Sequence, residues 1–460
     1  MKKKNDFDYI VIGSGVAGRT VAINLARSKE KVALVSRGKL GGTEINKIDL
    51  PFSINLDFAH LYGRAKRGEK LGISSADFRF DFPKLVGWQD KVVKKASESE
   101  KAKLEEAGVI ILTGEAKFID KNTVSVDDKP YRAARIIIAT GSELKDTGIS
   151  GLDEVDFLTP ANAMRMIRLP RVVAVVGGGA AGCEIAEYFA ELGSKVLLLE
   201  MTGRILPRED EEVGKTLGEF IAKERGVMVL PDCRVTKLEK DSISRRVIFV
   251  NNGRERMVRV DTIVLATGSM PSVNLSLENA GVAYKKSGIT VDKTFQTSTK
   301  NIFAIGDCIG GDSSTERAEY QANFLSNLLT SRSKSIVNYN GFARTVRTYP
   351  EVASVGYNED DMIKRDRVFF KSTYNLADTL AGKANSFDKG FVKLLADGNG
   401  RIIGGSVVAP NAESLISEIA MAVRYHATVL ELATLPHPAN NYSATIRLAA
   451  RELALKKKWK

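Results

Sequence analysis

The segment FDYIVIGSGVAGRTVAINLARSKEKVALVS, residues 7–36, decides the fold class of this 460-residue chain. It begins with an apolar, β-branched run that is typical of a buried strand and continues into Gly13-Ser14-Gly15-Val16-Ala17-Gly18. An amphipathic helix and a second apolar strand follow. The first glycine of such a turn makes it tight, the second lets the backbone approach a pyrophosphate, and the third lets helix and strand pack closely. The segment therefore predicts a unit that binds a dinucleotide at the N-terminus of its helix.

The same pattern recurs at residues 172–200, where VVAVV leads into GGGAAG, a helix and the strand KVLLLE. One such motif is weak evidence, because glycine-rich turns after strands are common. Two motifs in strand-turn-helix-strand order are strong evidence. The sequence therefore predicts two dinucleotide-binding units in one chain.

The two units differ at the end of their second strand. Glu200 lies 23 positions after Gly177, and the same offset from Gly13 reaches Ser36. An acid here accepts hydrogen bonds from an unmodified adenosine ribose and repels a 2′-phosphate, so Glu200 favours NAD over NADP. Arg204, four residues further on, leaves NADP open. Ser36 can make only a weaker bond, so we expect the first nucleotide to be held more by its pyrophosphate.

Three further segments complete a known arrangement: RIIIATGS at 135–142, DTIVLATGS at 261–269 and NIFAIGDC at 301–308. With the two glycine motifs, they resemble the flavoprotein family of dihydrolipoamide dehydrogenase, glutathione reductase and mercuric reductase. The resemblance implies an α/β fold with two Rossmann-like domains, one for FAD and one for NAD, and an α+β C-terminal dimerisation domain. The implied boundaries are 1–147 and 271–337 for the FAD domain, 148–270 for the NAD domain, and 338–460 for dimerisation into a homodimer.

The resemblance also assigns the cofactor contacts residue by residue. Asp307 would bind the ribityl chain of FAD, and a helix that begins near Ser314-Thr315 would direct its positive end at the flavin. The implied FAD contacts are Gly13, Ser14, Gly15, Ala17, Gly18, Ser36, Arg37, Gly42, Thr43, Ala116, Thr140, Gly141, Gly306, Asp307, Thr315 and Ala318. The implied NAD(H) contacts are Gly177, Gly179, Ala181, Gly182, Glu200 and Gly268.

The chain departs from this family in the segment GGTEINKIDLPFS, residues 41–53. The disulfide-containing members carry G-G-T-C-x-N-x-G-C-x-P-x-K there, so Glu44 and Asp49 stand at the two cysteines and Ser53 at the lysine. That lysine pairs with a glutamate whose counterpart is Glu184. Glu184 is therefore expected to lack its usual partner.

A second departure concerns the family's C-terminal base, a histidine held by a glutamate in H-P-T-x-S-E. In LPHPANNYSATIRLAA, an alignment on Ser443 and the helix behind it puts Ala439 at the histidine and Ala444 at the glutamate. An alignment on His437 keeps the histidine but puts Tyr442 at the glutamate. We prefer the first, because many residues set the helix register. The pair is incomplete on either alignment, and His437 is interpreted as a loop residue.

Composition narrows the remaining possibilities. The three cysteines, Cys183, Cys233 and Cys308, show neither metal-site nor disulfide spacing, so no metal is expected. The net charge of +12 is spread along the chain and concentrates only at MKKK and LALKKKWK, so no nucleic acid is expected. Trp459 among these lysines could touch an anionic membrane surface, although a solvated tail is the simpler interpretation. No apolar run is long enough for a bilayer span, and the cytoplasm is the expected compartment.

These features favour an enzyme that passes electrons from NADH through FAD directly to a small-molecule acceptor. The acceptor would be a quinone, a dye, oxygen or another nicotinamide, because a carboxylate cannot form a mixed disulfide. Glu44 and Asp49 would repel each other beside the flavin, so that one of them keeps a proton for the acceptor; alternatively, neither has a catalytic role. Glu184 is the third candidate catalytic residue. A non-catalytic relative that only binds dinucleotides is the alternative function.

Overall fold

The computed structural model describes residues 5–68, 72, 79–241, 243–331, 336–385, 387, 389–457 and 459. The strands are β1 (Phe7–Ile12), β2 (Val32–Ser36), β3 (Ile110–Thr113), β4 (Ala116–Asp120), β5 (Thr123–Val126), β6 (Lys129–Ile138), β7 (Ser142–Leu144), β8 (Val172–Val176), β9 (Lys195–Leu199), β10 (Met228–Leu230), β11 (Cys233–Lys240), β12 (Arg245–Asn251), β13 (Arg254–Val260), β14 (Thr262–Leu265), β15 (Ser269–Pro271), β16 (Tyr284–Lys285), β17 (Gly288–Ile289), β18 (Ile302–Ala304), β19 (Ala343–Val346), β20 (Glu351–Gly356), β21 (Phe370–Asn375), β22 (Phe391–Ala396) and β23 (Ile402–Ala409). The helices are α1 (Val16–Arg27), α2 (Gly42–Asn46), α3 (Asp49–Arg67), α4 (Phe82–Glu106), α5 (Pro160–Ala163), α6 (Ala180–Leu192), α7 (Glu211–Arg225), α8 (Thr315–Ser331), α9 (Glu359–Lys364), α10 (Leu380–Ala384), α11 (Ala412–Tyr425), α12 (Val429–Thr434) and α13 (Ala444–Lys457).

The chain divides into two compact units, and each is described by itself. The first comprises Met1–Ile54, Asp81–Asp146 and Gly268–Tyr339. Its main sheet has the order β3-β2-β1-β6-β5-β4, with β18 also paired to β6. β1 runs parallel to both β2 and β6, as expected for strands joined through helices. This order places the first glycine turn at the carboxyl end of the central strand, where α/β sheets bind ligands.

Both faces of the first sheet are covered. Ile10 and Ile12 of β1 pack into one apolar core, and Tyr9 and Val11 pack into another on the opposite face. Successive side chains of a strand point to opposite faces, so a strand buried on both sides must be apolar almost throughout. This requirement explains the apolar run 9–12 that leads into the first glycine turn; Asp8, earlier in β1, is exposed.

The second unit comprises Asn55–Phe80, Thr147–Thr267 and Asn340–Lys460. It contains a parallel sheet of order β10-β9-β8-β14, an antiparallel sheet β11-β12-β13, and a five-stranded sheet of order β19-β20-β23-β22-β21. The buried faces of α11 and α13 pack against the five-stranded sheet, for example Ile416 and Ile446 with Val407. The α/β class and the C-terminal α+β architecture are therefore confirmed.

Two details differ from what the sequence suggests. The run 343–356 could be taken for one strand, but it forms two, β19 and β20, which pair antiparallel, with Tyr349-Pro350 in the connection between them. Strand β21, which pairs with β22, lacks the regular alternation of buried and exposed residues that predicts a strand. Within the part of the chain that the structure describes, every helix is too short or too polar to span a bilayer.

Candidate functional site

The first glycine turn has no room for side chains where its backbone packs. A Cβ on Gly13, which has a φ of +112°, would lie 2.2 Å from the carbonyl oxygen of Ala139. A Cβ on Gly18 would lie 1.8 Å from the carbonyl oxygen of Gly13. At Gly15, by contrast, a Cβ would meet nothing within 4 Å. Gly15 caps α1 without a side-chain hydrogen bond, so the first N–H groups of the helix face open space that suits the pyrophosphate of FAD.

The second turn repeats this geometry closely. A Cβ on Gly177 would lie 2.4 Å from the carbonyl oxygen of Ala266, and one on Gly182 would lie 1.8 Å from the carbonyl oxygen of Gly177. Gly179 again has nothing within 4 Å and caps α6 without a side-chain bond. The residues of both turns therefore fit a dinucleotide, and the sequence reasoning about these glycines agrees with the packing.

Glu200 is held in place at the end of β9. One carboxylate oxygen accepts a 2.6 Å hydrogen bond from the Gly178 N–H. The other accepts bonds from the N–H and the hydroxyl of Thr202, both at 2.8 Å. Arg204 donates to the carboxylate of Asp360 at 2.9 Å and to the carbonyl of Glu209 at 3.2 Å.

Ser36 occupies the corresponding corner of the first unit. Its hydroxyl lies 2.6 Å from that of Ser14 and donates to the Gly38 carbonyl at 2.9 Å. The side chain is buried. The Ser36 hydroxyl, which the sequence predicts as a weak contact to the ribose, therefore already has two hydrogen-bond partners within the protein.

The segment that carries Glu44 lies directly on the first glycine turn. A Cβ on Gly42 would lie 2.5 Å from the Cα of Gly15, so the two backbones are in contact. Glu44 in α2 forms a 2.5 Å ion pair with Arg19, which also bonds Glu100 of α4 at 2.8 Å. Arg19 comes from α1, one residue beyond the turn, and its side chain is only 10% exposed. Sequence reasoning missed Arg19, because helix α1 was considered only for its glycines.

Asp49 lies at the start of α3 and Asp307 follows β18. Asp49 accepts a 2.5 Å hydrogen bond from the hydroxyl of Thr315, the first residue of α8. Asp307 accepts a 2.9 Å bond from Ser142. Burial raises the pKa of Asp307, opposed by hydrogen bonds from Ser142 and Ser313 and reinforced by the charge of Asp49. The structure therefore brings Asp49, Asp307 and Thr315 into one polar cluster in the first unit, whereas Glu44 is paired with Arg19.

The other residues predicted to contact the cofactors lie at turns and element ends of their units. A Cβ on Gly306 would lie 3.4 Å from the Cβ of Ala17 and 3.7 Å from that of Ala318, so these three pack together. Thr140 donates a 2.6 Å bond to the Ser272 carbonyl. The remaining positions are Arg37 after β2, exposed Thr43 in α2, Ala116 at the start of β4, Gly141 before β7, Ala181 in α6 and Gly268 before β15.

Glu184, the third candidate catalytic residue, has a partner that the sequence did not suggest. It lies in α6, is buried, and accepts a 2.8 Å hydrogen bond from the backbone N–H of Arg347. The partner comes from the loop after β19. A backbone donor leaves no sequence signal, so this contact could not be predicted.

His437 lies in the loop between α12 and α13, as interpreted from the sequence, but it has a glutamate partner that the sequence did not suggest. Both carboxylate oxygens of Glu418 in α11 lie 3.0 Å from its Nε2, and the Leu435 carbonyl lies 2.9 Å from its Nδ1. Only 4% of the His437 side chain is exposed. The family motif places the glutamate after the histidine, whereas the fold supplies one from α11, with α12 between the two residues in the chain.

The three cysteines are all buried, and none forms a disulfide. Burial raises the pKa of Cys308 to about 12, with opposing hydrogen bonds from Thr140. Burial likewise raises the pKa of Cys233 to about 11. Cys183 has a pKa well above its usual value because of burial and the charges of Glu184, Glu200 and Glu187. None of these thiols is therefore a thiolate near neutral pH, which is the form that attacks a disulfide.

The hypothesis that Trp459 touches a membrane is not supported by its position. The indole packs edge to face on Phe370 of β21, with ring centroids 5.7 Å apart, and lies against Gly400. It belongs to the margin of the C-terminal core rather than to an exposed tail. The basic residues Lys2, Lys3, Lys4, Lys458 and Lys460 lie outside the described residues.

Comparisons with known proteins agree with this architecture. The family model for pyridine nucleotide-disulphide oxidoreductases matches residues 7–322, and the model for the dimerisation domain of the same family matches residues 342–450. A dihydrolipoyl dehydrogenase of Geobacillus stearothermophilus is 30% identical over 458 residues, covering 97% of this chain and 96% of that protein. A mercuric reductase of Bacillus cereus is 29% identical, covering 96% of this chain and 71% of that protein.

Solved structures show the same fold. LpdA from Mycobacterium tuberculosis has a TM-score of 0.87 at 26% identity, and the match covers 97% of this chain and 99% of that one. The HOCl-induced flavoprotein disulfide reductase RclA from Escherichia coli has a TM-score of 0.86 at 23% identity, with the same coverage. The chain therefore belongs to the pyridine nucleotide-disulphide oxidoreductase family, whose members are FAD-dependent, NAD(P)H-using oxidoreductases.

Proposed function

We propose that this protein passes electrons from NADH through FAD directly to a non-disulfide acceptor: a quinone, a dye, oxygen or another nicotinamide. The proposal rests on the positions and the protonation of the cysteine thiols. The three thiols are buried with raised pKa values, while carboxylates stand at positions 44 and 49. When bound, FAD accepts a hydride and can pass electrons on singly or in pairs, so no thiol relay is required.

The proton balance gives the two carboxylates different roles. A quinone takes two electrons and two protons; the hydride of NADH supplies both electrons and one proton, and the second comes from the protein or water. Protonation of Glu44 would break its ion pair with Arg19. Protonation of Asp49 can keep its bond to Thr315, because a hydroxyl accepts as well as donates. Asp49 is therefore the proton-delivering group, and Glu44 is held in place by Arg19.

NADH is the proposed donor rather than NADPH. Glu200 is fixed by three hydrogen bonds at the position that meets an adenosine ribose. Arg204, the residue that could receive a 2′-phosphate, already bonds Asp360 and Glu209. Residues 338–460 are proposed to form the dimerisation domain of a homodimer, with 148–270 as the NAD domain and the FAD domain as predicted from the sequence.

The test is anaerobic mixing of the purified, FAD-loaded protein with NADH or NADPH while the flavin absorbance is followed. We expect NADH to bleach the flavin faster than NADPH, and a quinone or ferricyanide to restore the colour. Lipoamide and glutathione disulfide should not restore it. Rapid reoxidation by either disulfide would overturn the proposal, and a preparation that binds no FAD would favour the non-catalytic alternative.

Matched variants separate the two carboxylates in the same assay. Asp49→Asn should lower quinone reduction about a hundredfold to ten-thousandfold near neutral pH, the contribution typical of a general acid. Its rate with ferricyanide, which takes electrons without protons, should be unchanged. Glu44→Gln serves as the control and should leave the proton-dependent rate within about threefold. Equal effects of the two substitutions would contradict the assignment.

A further inference from the structure

Gln321 is a polar residue in the buried stripe of helix α8. It shares this stripe with Ala318, Ala322 and Leu325, and only 1% of Gln321 is exposed. A buried amide side chain needs hydrogen-bond partners, because a donor or acceptor left unpaired away from water is costly. Gln321 has such partners in two other segments of the first unit, the turn after β18 and the chain after α8.

The amide oxygen of Gln321 binds the turn that carries Asp307. Just after β18, the N–H of Ile305 donates to the Ile138 carbonyl of β6 at 2.9 Å. The turn then begins at Gly306, which has a φ of +77°, and the Gly306 N–H donates to the Gln321 oxygen at 2.6 Å. Gly306 is buried, so an apolar side chain at position 321 would leave this N–H without an acceptor. Gln321 therefore holds the peptide group that precedes Asp307.

The amide nitrogen of Gln321 is held by Tyr339. Its Nε2 donates to the Tyr339 hydroxyl at 2.9 Å. Because one N–H cannot accept from another, the amide oxygen must face Gly306 and the nitrogen must face Tyr339. The Tyr339 ring in turn packs on Arg317 of α8, whose guanidinium carbon lies 4.7 Å from the ring centroid. The orientation of the Gln321 amide is therefore fixed at both ends.

Asp307 is thus held from two sides, because its carboxylate also accepts a 2.9 Å hydrogen bond from Ser142. We propose that Gln321 is a positioning residue of the FAD site, which orients the turn at Gly306 so that the Asp307 carboxylate can accept a hydrogen bond from the ribityl chain. The inference rests on the predicted contact between Asp307 and FAD. It does not depend on which acceptor the enzyme uses.

The test is a double-mutant cycle on the full-length protein freed of FAD, with the dissociation constant of added FAD measured by quenching of flavin fluorescence. Gln321→Met keeps an unbranched side chain but offers Gly306 only a weak sulfur acceptor, and it should weaken FAD binding about tenfold to a hundredfold. In an Asp307→Ala background, which itself binds FAD more weakly, the same substitution should have an effect of less than about threefold. Equal effects in the two backgrounds, or unchanged FAD binding by Asp307→Ala, would overturn the proposal.

Two further variants separate positioning from a loss of stability. Ser326→Ala removes a buried hydroxyl of α8 that accepts from Asn24 at 3.0 Å. It should lower the urea midpoint and change the FAD dissociation constant by less than about threefold. Tyr339→Phe removes only the hydroxyl that holds the amide, and it should weaken FAD binding about twofold to tenfold unless Asp307 is also replaced. This variant decides the question if Gln321→Met does not fold. If both Gln321→Met and Tyr339→Phe left FAD binding unchanged, or Ser326→Ala weakened it as much, the role of Gln321 would be structural and the proposal would fail.

Discussion

The helices α1 and α6 follow almost identical glycine turns, yet their buried charges have opposite sign. Helix α1 buries Arg19, which holds Glu44 and Glu100. Helix α6 buries three glutamates instead, namely Glu184, Glu187 and Glu191. The glycine pattern determines how a turn, a helix and a strand fit together, but it places no demand on the other faces of the helix. Those faces are where the two units have become chemically different.

The acids of α6 form a dense network within the second unit. Arg225 of α7 bonds Glu191 at 2.6 Å and Glu187 at 3.3 Å. Arg67 of α3 bonds Glu191 through both guanidinium nitrogens, at 2.6 and 2.8 Å. His60 lies 3.3 Å from Glu187. In contrast, the partners of Arg19 are partly solvated, with 26% of the Glu44 side chain exposed. The second unit therefore depends on buried charge pairing far more than the first.

The largest expected effect comes from removing the central cation of each network. Arg225 is 3% exposed, and Arg225→Met should lower the free energy of unfolding by about 3–5 kcal/mol, because it leaves two buried carboxylates short of a partner. Arg19→Met should cost about 2 kcal/mol, since Glu44 can be solvated. Urea unfolding of each variant measures both values.

Arg171→Met is the matched control for these two substitutions. Its side chain is 91% exposed, and its pairing with Asp261 at 3.8 Å should contribute no more than about 0.5 kcal/mol. An Arg225→Met variant as stable as this control would show that the α6 acids are adequately paired without Arg225.

The next effect tests whether the two turns serve different cofactors. A Cβ at Gly15 or Gly179 meets nothing in the folded chain, so alanine at either position should leave the urea midpoint unchanged. Gly15→Ala should weaken FAD binding about tenfold to a hundredfold, because the methyl group takes the space of the pyrophosphate. Gly179→Ala should instead raise the KM for NADH by a similar factor and keep FAD bound.

Gly87→Ala in α4 provides the control, since a Cβ there also meets nothing within 4 Å. It should change neither the FAD dissociation constant nor the KM for NADH. If Gly15→Ala raised the KM for NADH while FAD remained bound, the assignment of the two turns would be reversed.

The smallest expected effect is a pH dependence confined to the α6 network. Burial alone would lower the pKa of His60, but the hydrogen bond and charge of Glu187, together with Glu191, raise it above 6.5. The stabilisation from protonated His60 is therefore complete below about pH 6.5 and is lost as the pH rises through the higher folded value. His60→Gln should flatten the fall in thermal midpoint across this window. An identical pH profile in wild type and variant would remove His60 from the network.

Much of the site could be predicted from sequence, because the steric requirements of its backbone turns involve residues that are close in the chain or on the adjacent strand. Close contacts within the same turn or with the adjacent strand require glycine at four positions, namely Gly13, Gly18, Gly177 and Gly182. The spacing of these glycines is therefore enough to predict the turns. The partners of the charged residues could not be predicted in this way. Glu418 reaches His437 from 19 positions away, and Thr315 reaches Asp49 across 266 positions. Neither distance along the chain follows from any local pattern.

The sequence by itself therefore determined the two glycine turns, the apolar strands that carry them and the absence of cysteine at positions 44 and 49. The turns and strands follow from short-range sterics and from hydrophobic periodicity, both of which depend only on residues that are close in the sequence. Only the tertiary structure decided that Glu44 is tied to Arg19, that Asp49 meets the first residue of α8, and that Ser14 and Ser36 fill one corner together. Side-chain pairing depends on which surfaces folding brings within about 3 Å, and that information is distributed over the whole chain.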